Sequence, residues 1–261
     1  MTGSDGGDDT DSTPVFEATV REEVCRLRRP GTRWLSTGHA GGESSGDAAF
    51  LLSVPEGWGD VDIPAYVRER CDAAGFAAGA SQPALLTGVS MRHARRARLG
   101  PVEAVATAGV SNPAALPVGG GEADGDGPEG TAGTDTRSDR HHTGTVNVVV
   151  GTTRSLASGA LPNLVAVAAE AKAATLLARV GVPGTTSDAV VVGCDPEGEA
   201  AAFSGSATPV GSAARICVRD AVSAALDARY ADESPPTSVD AAEYGVVSDA
   251  RARVEQVEGR E

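Results

Sequence analysis

The sequence predicts an α+β fold. Largely antiparallel or mixed β-sheet layers are packed by two main helices, about 158–180 and 212–229, and an αββα-type sandwich satisfies that arrangement. Three observations predict it. Several short β-branched runs follow one another, which favours antiparallel neighbours over a doubly wound parallel sheet. Two long Ala-, Val- and Leu-rich stretches in the C-terminal half read as helices. Apolar residues make up 41% of 261 residues but aromatics only 3%, so the core is built from small aliphatic side chains.

The elements follow in order. Residues 1–14 read as a disordered acidic tail, and 15–230 as a single domain. Residues 15–29 fit a strand pair; 32–37 (TRWLST) is a strand running into the glycine turn 38–42; 48–54 is a buried strand closed by Pro55. A helix is expected over 63–74, with Pro64 at its start and Gly75 at its end. Strands are expected over 83–90 and 101–110, with the basic cluster 92–98 between them as a solvated loop. Residues 119–143 are Gly-, Asp- and Thr-rich and read as a disordered insertion, in which His141 and His142 are two solvated imidazoles. A strand over 145–150 leads through a turn into the first long helix, stopped by Gly181 and Pro183. A strand over 189–193 and the second helix complete the domain; 231–261 is an acidic C-terminal appendage.

The formal net charge is −14, and only one of the 22 basic residues, Lys172, is a lysine. Abundant carboxylates with almost no lysine suit a protein of a salt-rich cytoplasm, where self-repulsion is screened. Nucleic acid is excluded as a partner on charge, since phosphate binding needs a basic face. A bilayer crossing needs about 18 apolar residues, and no run is expected to reach that; the N-terminus also lacks the pattern of a signal peptide. The expected location is therefore cytoplasmic, and a homo-oligomer is left open. Cys25, Cys71, Cys194 and Cys217 are widely spaced and read as reduced core thiols.

No P-loop is present, because the sole lysine lies in Glu170-Ala171-Lys172; no metal-protease or dinucleotide-binding motif occurs either. Attention falls on 144–172. Strand alternation puts Val146, Val148 and Val150 on one face and Thr145, Asn147 and Val149 on the other. At 100° per residue Lys172 shares a helix face with Leu161, Val165, Ala168, Ala169 and Leu176. An ammonium there is costly to bury, so it either reaches an edge or serves a site. Residues 184–188 (GTTSD) form a hydroxyl-rich turn ending in Asp188, either a self-capped loop or a polar cradle. Residues 107–112 (TAGVSN) end a strand at Asn112, a turn residue or an oxyanion donor.

Together TAGVSN, GTVNVVV (144–150), SGAL (158–161), EAKAA (170–174), GTTSD and the LST…Gly-Gly pattern at 35–42 resemble the adenosylcobinamide amidohydrolase (CbiZ-type) family over roughly 16–230. Thr186 stands where that pattern expects glycine, and the 119–143 insertion is longer than the pattern needs. The resemblance implies hydrolysis of the amide joining the corrin's propionate arm to aminopropanol, releasing adenosylcobyric acid for coenzyme B12 salvage. The cobalt corrinoid is then a substrate, and no cofactor or metal site is implied. Gly-Thr before a β-branched strand and a helix is also similar to self-processing aminopeptidases and ornithine acetyltransferases. That looser likeness makes Thr145 the nucleophile, Lys172 a charge neighbour and Asn112 the oxyanion donor. Ser111, Asn147, Thr185, Ser187, Asp188, His39 and Glu170 would contact the substrate. Three other readings stay open: a self-processing peptidase or acyltransferase, a corrinoid-binding protein without turnover, and a metal-dependent amidase using His39, Glu43 or Asp47.

Overall fold

The computed structural model describes residues 14–55, 61–77, 79, 82–118 and 144–257; the stretches expected to be disordered, 1–13 and 119–143 with His141 and His142, lie outside the described residues. Strands β1 (Glu17–Arg21) and β2 (Val24–Ser36) form a hairpin, and β2 pairs on its other edge with β3 (Gly42–Ser53). The sequence suggested two separate strands where β2 is one. Pro30 and Gly31 fall at the register shift between Arg28 and Thr32, the kind of irregularity where a residue without an N–H donor is tolerated. Helix α1 (Ile63–Ala73) is capped by the Asp62 carboxylate, which accepts the Ala65 N–H, and it precedes β4 (Ala84–Thr87).

The basic cluster is not a loop. A 3₁₀ turn (Met91–His93) opens it, and β5 (Arg95–Leu99) pairs antiparallel with β6 (Val102–Ala108) at the sheet edge. Exposed arginines on an edge strand deter further pairing, which is the structural use of charge at such a place. Short β7 (Pro113–Ala115) precedes β8 (Val146–Thr152) and β9 (Ser155–Leu156). Helix α2 (Ala160–Val180), β10 (Gly184–Thr185), β11 (Ala189–Cys194) and β12 (Ala200–Ala201) follow. Helix α3 (Pro209–Arg229) starts earlier than expected because Thr208 and Pro209 supply its cap and first residue; β13 (Val246–Val247) ends the list of strands among the described residues.

One mixed sheet of eight strands organises the domain, in the order β4-β3-β2-β11-β8-β6-β5 with β1 beside β2. β3–β4 and β8–β11 are parallel pairs, the others antiparallel. Val146, Val148 and Val150, with Ala104, Ala106 and Val192, pack under α2 and α3. Val105, Val149 and Val191 point the other way, against Leu27, Trp34, Leu51 and Leu85 of β2, β3 and β4. The sheet thus doubles back on itself and encloses a second core between its halves. Val24, Phe50 and Leu52 face outward again and meet Cys71, Ala74 and Phe76 at α1. The layer order is helix, sheet, sheet, helix, as the α+β reading anticipated.

Against the expectation from the sequence, α2 is long and apolar enough to cross a membrane by length and composition, with a mean hydropathy of 1.3 over its best window. In this fold it is a core helix, with Leu161, Leu164, Ala168 and Leu176 buried against the sheet and α3. All four cysteines are buried and free.

Candidate active site

The site begins where β8 begins. Gly144 and Thr145 are buried and lead into a strand whose parallel partner is β11, with Asn147 opposite Ala189. Helix α2 is the crossover between these two strands. A parallel pair needs such a crossover, and it returns the chain so that 185–188 lies beside 144–147. Residues more than forty positions apart thereby meet.

Asp188 is the hub of that meeting. One carboxylate oxygen accepts the Val146 N–H at 2.8 Å and the Thr185 hydroxyl. The other accepts the Thr185 N–H at 3.0 Å and pairs with the Lys172 ammonium. Both side chains of the ion pair are 10% exposed. A buried charge pair persists only when its remaining hydrogen-bonding capacity is filled, and here the carboxylate holds four donors. Gly184 makes the approach possible, because a Cβ there would sit 2.7 Å from the Asp188 carboxylate. The self-capped loop and the cradle weighed from sequence are thus one object.

The Thr145 hydroxyl lies 2.8 Å from that of Ser187, and the Ser187 hydroxyl also donates to the Gly144 carbonyl at 3.4 Å. Asn147 ties the sheet halves together: its amide nitrogen donates to Leu86 O of β4 at 2.8 Å and its oxygen accepts the Ala189 N–H. Asn112 donates to the Thr186 hydroxyl at 2.6 Å, so the threonine found where glycine was expected has a partner. The Asn112 Oδ1 atom is buried without a hydrogen-bond partner, and with Ser111 it flanks Gly144 so closely that a Cβ on Gly144 would lie 2.4 Å from each side chain. Tyr230 steadies this strand end by accepting the Val110 N–H at 2.9 Å; burial raises its phenol pKa, keeping it neutral.

Thr145, Asn147, Ser187, Asp188 and His39 line one cavity of about 310 Å³ at the mouth between the sheet halves. Lys172 and Asn112 are not among the residues that line it: Lys172 pairs with Asp188, which does, and Asn112 contacts Gly144 and Thr186. Ser111 and Thr185 belong to the same supporting layer. Glu170 does not join the cluster: it is exposed on α2 and pairs with Arg215 of α3. On a helix, a residue two positions from Lys172 projects some 200° away.

Thr37, which the sequence offered only within a motif, and Leu86 and Thr87, which it did not single out, also line the cavity. The Thr37 hydroxyl accepts the Val190 N–H at 2.9 Å and so ties that part of the lining to β11; its signal was the Leu-Ser-Thr run before the glycine turn. Cys25, Cys71 and Cys217 are unsuited as nucleophiles. Burial pushes the Cys25 thiol up to about 12 and those of Cys71 and Cys217 up to about 11, so none ionises near neutrality. Among the described residues no three His, Cys, Asp or Glu side chains gather as a metal-binding group. What the cavity offers is a pair of adjacent hydroxyls on a rigid, charge-pinned turn.

The family model of adenosylcobinamide amidohydrolase matches residues 9–234. An adenosylcobinamide amidohydrolase of Halobacterium salinarum is 55% identical over 240 residues, which are 92% of this chain and 99% of that protein. Among solved structures, the PH0078 protein of Pyrococcus horikoshii aligns over 86% of this chain and 82% of its own, at 12% identity and a TM-score of 0.42. The L-aminopeptidase D-Ala-esterase/amidase of Ochrobactrum anthropi, a variant among the Ntn hydrolase fold, aligns over 82% of this chain and 83% of its own, at 14% identity and a TM-score of 0.36. By its family match and its close relative, the chain belongs to the adenosylcobinamide amidohydrolase family.

Proposed function

We propose that the cavity at Thr145 hydrolyses the amide between the corrin propionate arm and aminopropanol in adenosylcobinamide, giving adenosylcobyric acid for cobamide salvage in a halophilic archaeon. The observation that carries this reading is the Thr145 hydroxyl, set on the cavity wall against Ser187 and on a strand end that Asp188 grips through the next N–H. Thr145 Oγ1 adds to the amide carbon, and the C–N bond breaks as the amine gains a proton. Water then cleaves the Thr145 ester to the carboxylic acid. Ser187 orients the attacking hydroxyl. Lys172, Asp188 and Asn112 are positioning residues, because each acts through the turn or the Gly144 backbone.

The reaction needs an acceptor for the Thr145 proton. In the intact chain the Thr145 nitrogen is a peptide amide and cannot serve. Cleavage at Gly144–Thr145, whose carbonyl is already hydrogen-bonded to Ser187, would free an α-amine for the task. The denaturing mass reads this directly: two fragments assign the proton to the amine, and a single 26.2 kDa chain assigns it to a cavity side chain.

Replacing the hydroxyl tests the nucleophile. Thr145→Ala should lower turnover at least about 10³-fold with the melting temperature little changed, while Thr145→Ser keeps a substantial rate. Wild-type rates in the alanine variant rule Thr145 out. In this reading the hydroxyl needs no metal ion, so activity should survive dialysis against a chelator; loss restored by a divalent cation favours the metal-dependent alternative.

A further inference from the structure

We propose that His39 is the lower axial ligand to the cobalt of the bound corrinoid, an inference that rests on the corrinoid-amidase reading of the same site. The turn carrying His39 stands at the boundary of two cavities. The first is the Thr145 cavity of about 310 Å³; the second, about 270 Å³, is bounded by Glu43, Phe50, Val67, Arg68 and Gln82. His39 and Ala84 line both. A corrin macrocycle that spans both hollows lies across that boundary, over the imidazole.

The imidazole is exposed but its base is fixed. The Gly41 N–H donates to Gly38 O at 3.0 Å, and the Gly38 N–H to the Ser36 hydroxyl at 3.1 Å. A Cβ at Gly41 would lie 2.3 Å from Ser36 O, and Ala40 is held at φ 49. Among the described residues no group hydrogen-bonds or pairs with the His39 ring, so neither nitrogen is committed.

The chemistry of the substrate class fits this placement. A cobinamide has no nucleotide base, so water holds the lower position of its cobalt. The arm bearing the scissile amide hangs from that same face. A neutral imidazole nitrogen is a common ligand for cobalt-group ions and displaces that water with no change of oxidation state. Ligation at His39 then drops the amide arm into the cavity that Thr145, Ser187 and Asn147 line. His39 is thereby a specificity residue: it selects a corrinoid whose lower face is open.

Electron paramagnetic resonance with cob(II)inamide as probe tests the contact independently of turnover. One axial nitrogen splits the cobalt lines of the bound complex into triplets. The wild type should show these triplets, and His39→Ala should show single lines, bind cob(II)inamide at least about tenfold more weakly and raise KM for adenosylcobinamide more than it lowers kcat. Single lines in the wild type with the corrinoid bound, or triplets that persist in His39→Ala, overturn the ligand role and leave the hydrolase reading standing. Failure of the wild type to bind cob(II)inamide overturns the ligand role, and failure to turn over adenosylcobinamide overturns both.

Discussion

At the scale of single residues the site divides into groups that face the substrate and groups that hold them. Thr145 and Ser187 face it; Lys172 and Asp188 hold the turn. Lys172→Met leaves an uncompensated buried carboxylate, and such a break costs about 3–5 kcal/mol. Chemical denaturation should show a loss of that order, with much of it recovered in the Lys172→Met, Asp188→Asn double variant, since removing both charges removes the imbalance. At the other end of β6, Glu103 is fully buried; its Oε2 accepts the Val15 N–H at 3.0 Å and Arg96 lies 3.6 Å from Oε1. Burial raises its pKa above the ordinary 4.5 despite Arg96 and the backbone donors. The folded state therefore holds this proton more tightly than the unfolded chain, and stability falls as pH rises from about 4.5 through the raised value. Glu103→Gln keeps the acceptor for Val15 and removes the titration. Its melting temperature relative to wild type should climb with pH over that window, and a difference independent of pH contradicts the assignment.

At the scale of elements, the unit β8–α2–β11 makes the site. Its outline was legible in the sequence: a β-branched strand, a glycine-stopped helix, a lone lysine among aliphatic neighbours and an acid-ended turn. The partner of that lysine was not legible. Asp188 lies sixteen residues on, and only the parallel register of β8 with β11 brings the turn back over Lys172 and beside Thr145. Periodicity fixes which face a residue takes, not which distant turn folds onto it. Glu170, two residues before the site lysine, is remote from it because the helix turns it to another face, where it pairs with Arg215. The edge strand β5 escaped a reading from charge because its pairing with β6 overrides the poor strand preference of an arginine cluster. The close approach at the head of β8 gives a sharp test. Gly144→Ala places a methyl 2.4 Å from the Ser111 and Asn112 side chains, so the loops must part. Turnover should fall at least about tenfold, with far less effect on global unfolding, because misplacing a catalytic group by about 1 Å weighs more on rate than on stability.

At the scale of the whole molecule, the doubled sheet, with helices on both outer faces, leaves its functional opening where the halves part, between the head of β8 and the turn after β2. That opening could not be placed from composition, because it depends on β4 reaching Asn147 across the fold. Composition does foretell the response to solvent. With a net charge of −14, the compact state carries self-repulsion that salt screens as the Debye length drops from about 10 Å at 0.1 M to about 3 Å at 1 M. The melting temperature should rise across that interval in potassium chloride, and a flat or falling trend contradicts the reading of the acidic surface as salt-adapted. The most direct test of the central claim is to incubate the purified protein with adenosylcobinamide in high salt and follow the corrinoid by mass spectrometry. The account predicts adenosylcobyric acid and free aminopropanol in equal amounts, absent with Thr145→Ala; adenosylcobinamide recovered unchanged from the wild-type complex would contradict it.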